Sequence, residues 1–269
     1  MTDRLAFGLG RLLGRGTVVA DPVDAAARAA ELEARTAVRA ADLHGAASTP
    51  TVRQPRDAQR IRVYRAETPL GGRRFPELDR CRAYCEEVVG SLWWLDRFPH
   101  LGLADIPVLR DGRGARQAFY REDPDHPTIT LPRRYRTSGV ILHELAHWIM
   151  RSDLDLPNHG RTFTRLLLDL TGEFAGPAMR ERLAAAYTEH AVKVGEPARL
   201  GPDGRWRYGI DERLHLLRGR SVALHHLDDP AAAPSEGVLT SATARRVTLS
   251  SDGIVVTIAR SDVWSVAVA

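Results

Sequence analysis

Two histidines four residues apart, His143 and His147, lie in the apolar run V-I-L-H-E-L-A-H-W-I-M. At about 100° per residue on a helix both imidazoles fall on one face and can share one metal ion. Glu144 stands one position round that face. It is too close in sequence to chelate comfortably beside His143 but well placed to touch a water on the metal, so it reads as a general base. Zinc suits such a site, and zinc that does chemistry needs a third protein ligand and an open position. Three residues compete for that place. His159, twelve residues after His147, opens a pattern with Phe163, Leu166, Leu167 and Leu170 on one face, which turns it to the buried side. Asp153 has the spacing of a sharp turn back to the metal, yet Met150 occupies the position where glycine would ease that turn. Glu173 follows Gly172, where the helix is expected to have ended. The order of preference is His159, Asp153, Glu173.

H-E-L-A-H followed at this distance by H-G-R-T-F resembles the SprT-like group of zinc metallopeptidases, whose pattern is HExxH, a short loop, then HGxxF. The segments D-A-Q-R-I-R-V-Y-R-A-E and T-I-T-L-P are also similar to a smaller family of metallohydrolases from high-GC bacteria and their phages. The likeness spans roughly residues 57 to 193. It implies that His143, His147 and His159 carry the metal and that Glu144 activates the water. SprT-like relatives include peptidases that act on proteins attached to DNA, so the resemblance leaves a DNA-linked substrate open; no residue here calls for one.

A closed, purely structural zinc site takes four ligands and no base, and Glu144 argues against it. Zinc lowers the pKa of a bound water to about 7; Glu144 is placed to take its proton and pass it to a leaving amine. Tyr135, Tyr187 and His190 are conceivable donors to the developing oxyanion, each more often structural. The expected function is a zinc-dependent metallohydrolase acting on a protein or peptide. The alternative is a non-catalytic, zinc-stabilised binding protein working through its C-terminal part. A change in the bond cleaved, as in a cell-wall peptide, is a third reading.

Composition narrows the class. The chain of 269 residues carries 38 basic and 34 acidic side chains, and Lys193 is the only lysine. This arginine bias has the look of a GC-rich genome, and a mixed-sign, solvated surface is preferred to a phosphate-binding face. No apolar run of about 18 residues exists and no secretory pattern opens the chain, so a cytoplasmic protein without a membrane span is expected. Cys81 and Cys85, four apart on one helix, suit buried thiols better than a disulfide.

The elements that must position these residues predict an α+β fold in four parts. Residues 1–56 read as a helical appendage (Asp21 to Leu43) and linker, and residues 57–195 as a zincin-like domain. Within it the patterns predict a short strand at Ile61 to Arg65 and a helix after Pro76 with Leu78, Cys81, Cys85, Val88 and Leu92 on one face. An antiparallel three-stranded meander follows: Ile106 to Arg110, Ala115 to Arg121 and Thr128 to Leu131. The last of these, before the HExxH helix, could serve as an edge for an extended peptide. A helix from Pro177 to about Val194 closes the domain. After a linker at 196–209, residues 210–269 predict a short helix from Asp211 to Leu217. Strands at Ser221 to Leu227, Gly237 to Leu249, Ile254 to Arg260 and Val263 to Val268 then suggest a small SH3-like or Sm-like β-barrel.

Overall fold

The computed structural model describes residues 58–68, 71–122, 126–154, 156–226 and 233–269, without the side chains of Ala58 and Asp153. These residues belong to one compact unit, Pro55–Ala269. The helix expected at Asp21 to Leu43 lies outside the described residues. The fold is mixed α+β, and no described helix is long and apolar enough to cross a membrane.

The chain enters as helix α1 (Ala58–Glu67), not the strand expected at Ile61 to Arg65. Alternation in R-I-R-V-Y-R imitates a strand, but Val63 and Ala66, three apart, are the residues buried, which is a helical spacing. Helix α2 (Leu78–Val89) buries Cys81, Cys85 and Val88 as expected, and both thiols are free. Leu92 departs from that face: Gly90 ends α2, Ser91 caps α3 (Leu92–Arg97), and Leu92 is 85% exposed. Trp94 and Phe98 enter the core, where the indole of Trp94 stacks on Trp148.

Three short strands follow, β1 (Val108–Asp111), β2 (Phe119–Arg121) and β3 (Thr128–Leu131), in the sheet order β1-β3-β2. The antiparallel meander is therefore corrected: β3 is central, parallel to β1 and antiparallel to β2. Burial explains the choice. Thr128, Ile129 and Leu131 are all buried, which suits a strand covered on both sides, whereas β1 buries only Leu109. Nor does D-G-R-G close a β1–β2 hairpin. Gly112 packs so tightly on Pro132 that a Cβ there would lie 2.6 Å from its ring, so the chain passes the end of β3. The edge expected at Thr128 to Leu131 belongs instead to β1 and β2.

Helix α4 (Ser138–Ile149) carries the HExxH residues and runs on into a π-helical turn, Met150–Leu154. Helix α5 (Arg161–Phe174) buries Phe163, Leu166, Leu167 and Leu170 and continues through Gly172, past the expected end. Arg180 fills the space that a side chain at position 172 would take. Helix α6 (Pro177–Glu189) stops before Val194, with Leu183 and Tyr187 buried. These helices and the β1-β3-β2 sheet share one hydrophobic cluster around α4.

The stretch 196–209 holds a short hairpin, β4 (Arg199–Leu200) with β5 (Trp206–Arg207). Beyond it come α7 (Ile210–Leu216) and β6 (Ser221–His226), β7 (Ser235–Ala242), β8 (Arg246–Ser251), β9 (Ile254–Ala259) and β10 (Val263–Val268). The segment read as one long strand from Gly237 to Leu249 is two strands. A turn stabilised by Thr243, whose hydroxyl oxygen accepts from the backbone N–H of Arg245 and Arg246, needs neither glycine nor proline to announce it. The five strands form an antiparallel sheet in the order β10-β6-β7-β8-β9, and no ladder joins β9 to β10, so hydrogen bonding does not close a barrel. A second hydrophobic cluster lies between this sheet and α7.

Candidate metal centre

Helix α4 starts at Thr137, whose side-chain oxygen accepts the backbone N–H of Val140. Its apolar residues are buried around most of its circumference, which removes the histidine face from solvent as well. His143, Glu144 and His147 are only 6%, 4% and 8% exposed. His159 arrives from the loop before α5 with φ 59°, a left-handed conformation unusual for a residue with a Cβ, and is 5% exposed.

The three imidazoles converge. His143 Nε2 lies 3.1 Å from His147 Nε2 and 3.4 Å from His159 Nε2. Tetrahedral ligation at Zn–N bonds of about 2.0–2.1 Å places ligand nitrogens about 3.3 Å apart, so the spacing fits one ion. The outer nitrogens of His143 and His147 are already engaged. Glu67 Oε2 is 2.7 Å from His143 Nδ1, and the Tyr187 hydroxyl donates to Glu67 Oε1 at 3.0 Å. His147 Nδ1 lies 3.2 Å from Asn158 Oδ1. A proton held on Nδ1 by each acceptor leaves the Nε2 lone pairs of His143 and His147 facing one another. Buried lone pairs at this range call for a cation between them. The donor set, three imidazoles with carboxylate and amide partners behind two of them, could hold a metal ion.

Electrostatics agree with that geometry at His147 and His159. Burial, with repulsion from His143, holds His147 well below the usual imidazole range and brings His159 down to about 3, so both are neutral at pH 7. Burial also presses on His143, but the Glu67 carboxylate outweighs it and the net direction is up. Glu144 is pushed up to about 7, chiefly by burial, against the pull of His143 and the Tyr120 backbone N–H. Its Oε2 is buried without a hydrogen-bond partner.

Aromatic rings hold the imidazoles. Phe163 lies beneath all three, with ring centroids 4.7–5.0 Å away. Tyr64 stacks on His143 at 5.6 Å and meets His159 edge-on at 5.1 Å. A cleft of about 570 Å³ opens beside His143 and Glu144, with Leu142, Leu167, Met179 and Leu183 in its wall and Tyr135 also lining it.

The structure thus brings together His143, His147 and His159, the preferred set, with Glu144 adjacent. Glu173 is not part of the cluster, and the side chain of Asp153 lies outside the described residues. Tyr187, considered as an oxyanion donor, is bonded to Glu67 instead. Glu67, Asn158 and Tyr64 are the residues that sequence reasoning missed. Glu67 ends the segment D-A-Q-R-I-R-V-Y-R-A-E and Asn158 immediately precedes His159, but neither position states its partner. Comparison with protein-family models, curated proteins and solved structures finds no match for the chain.

Proposed function

We propose that this chain is a zinc-dependent metallohydrolase of the SprT-like kind, acting as an endopeptidase with His143, His147 and His159 as metal ligands and Glu144 as general base. The observation that carries the reading is the convergence of three buried Nε2 atoms at ligand spacing beside a buried carboxylate oxygen with no partner. Zinc held by His143, His147 and His159 would supply a Lewis acid for a substrate carbonyl and for a water. Glu144 takes the proton of that water and returns it to the leaving amine. Its buried Oε2, with no hydrogen-bond partner, suits both halves of that task. Glu67 and Asn158 fix the tautomers of two ligands, and Phe163 fixes their rings.

An extended peptide would lie along β2, the strand that neighbours α4. Tyr120 in β2 directs its backbone N–H at Glu144, so the open edge of β2 faces the base. The C-terminal sheet would curl into a small SH3-like barrel, helped by register shifts in β7 and β10.

One observation favours the second reading, a binding protein braced by its metal. In β9, at the sheet's edge, Ile254 and Val255 are each 66% exposed and Val256 41%. Such an edge is suited to a partner strand. The deciding experiment measures casein turnover by the zinc-loaded wild type, Glu144→Gln and His159→Ala, with and without DNA. A peptidase loses cleavage in both variants and retains zinc in Glu144→Gln. A folded, zinc-loaded wild type that leaves casein and DNA-bound protein intact rules out a general endopeptidase.

A further inference from the structure

We infer that Glu212, at the start of α7, is a positioning residue for the third metal ligand, which makes the C-terminal sheet a brace of the metal centre. The inference rests on the metal-centre reading above. A left-handed φ at a non-glycine residue such as His159 persists only where its surroundings over-determine it. The surroundings here come from far along the chain.

The N-cap of helix α5 is Gly160, directly after His159, and a glycine has no side chain with which to cap it. Glu212 supplies the cap. One carboxylate oxygen accepts the backbone N–H of Thr162 at 2.9 Å and the other that of Arg161 at 3.3 Å. Its negative charge also complements the positive end of the α5 dipole. A Cβ at Gly160 would collide with the same carboxylate, so glycine there and glutamate at 212 fit as a pair.

The other end of the loop is held from the same segment. The Arg213 guanidinium donates to the Leu154 carbonyl at 2.5 Å, four residues before Asn158. Gly209 packs against Leu156 and Thr162, and a Cβ there would lie 2.6 Å from Thr162 Oγ1. Residues 209–213 therefore grip the loop carrying Asn158 and His159 at its start, middle and end. They are themselves anchored to the sheet, because Arg260, between β9 and β10, donates from Nε to Asp211 at 2.6 Å and from Nη2 to Glu196 at 3.0 Å. Force runs from the sheet through Asp211 and Glu212 to α5 and so to His159.

Loss of the cap frees the first turn of α5 and lets His159 leave its left-handed conformation, which opens the nitrogen triangle. The test uses full-length wild type, Glu212→Ala, Glu212→Gln and, as a control on the same sheet, the exposed Glu236→Gln. Zinc affinity is measured by chelator competition and the ligand field by cobalt(II) absorption, with circular dichroism of the metal-free proteins as the fold check. Outer residues that orient ligands are worth about 10- to 100-fold in metal affinity. Glu212→Ala should lose at least about tenfold and show a weakened tetrahedral cobalt band, Glu212→Gln should fall between it and wild type, and Glu236→Gln should match wild type. A folded Glu212→Ala with wild-type affinity and spectrum overturns the inference. If Glu212→Ala does not fold, wild-type affinity in Glu212→Gln overturns it equally. Failure of the wild type itself to take up one zinc would instead overturn the metal-centre reading.

Discussion

Replacing Glu144 by glutamine in the metal-free protein should stabilise the fold, and by an amount that depends on pH. The carboxyl is 4% exposed, its Oε2 has no partner, and burial raises its pKa from 4.5 to about 7. At about 1.4 kcal/mol per pH unit, that difference corresponds to roughly 3 kcal/mol. The sign follows from the direction of the shift. A raised carboxyl pKa means that the folded state prefers the neutral acid. Its stabilising contribution is complete below pH 4.5 and is lost as pH rises through about 7. Glutamine, neutral throughout, has no such loss. Urea unfolding of chelator-treated wild type and Glu144→Gln should therefore give nearly equal stabilities near pH 4.5 and a gap of about 3 kcal/mol in favour of glutamine at pH 8. Adding zinc should narrow the gap, because a divalent charge beside Glu144 draws its pKa down. A gap that does not change with pH, or a wild type more stable than the variant at pH 8, would refute the reasoning.

Two further outcomes follow from the same geometry. Glu67→Ala removes the acceptor from His143 Nδ1 and strands the buried Tyr187 hydroxyl, so calorimetric titration should show zinc affinity about 10- to 100-fold weaker, with one site retained. Phe163→Ala empties the space under all three imidazoles; it should cost about 3–5 kcal/mol in denaturant unfolding and weaken zinc binding as well, since the rings lose their common support.

If the sheet braces the metal centre through Glu212, a partner seated on the exposed Ile254 and Val255 of the edge strand β9, which Arg260 directly follows, would sit on an element tied to His159. Binding there and metal affinity would then be linked, whichever of the two proposed functions holds.

Local chemistry was legible in the sequence because it depends on short-range periodicity. A helix places His143 and His147 on one face whatever surrounds it, and Phe163, Leu166, Leu167 and Leu170 declare the buried face of the next helix. His159 was readable as the third member of the histidine cluster because it stands at the start of that face. Free, buried Cys81 and Cys85 followed from their helical spacing. Tertiary structure decided what depends on long-range pairing. Alternation in R-I-R-V-Y-R could not reveal that Val63 and Ala66 find a core and make the segment a helix, and so could not bring Glu67 to His143. Strand order is likewise invisible locally: D-G-R-G looks like a hairpin, but burial on both sides of Thr128 to Leu131 drew that strand to the centre and left β2 as the edge beside Glu144. Nor does any motif connect Glu212 to Thr162. That hydrogen bond exists because the last strands anchor α7 against the loop of His159, a contact between segments that only the folded chain brings together.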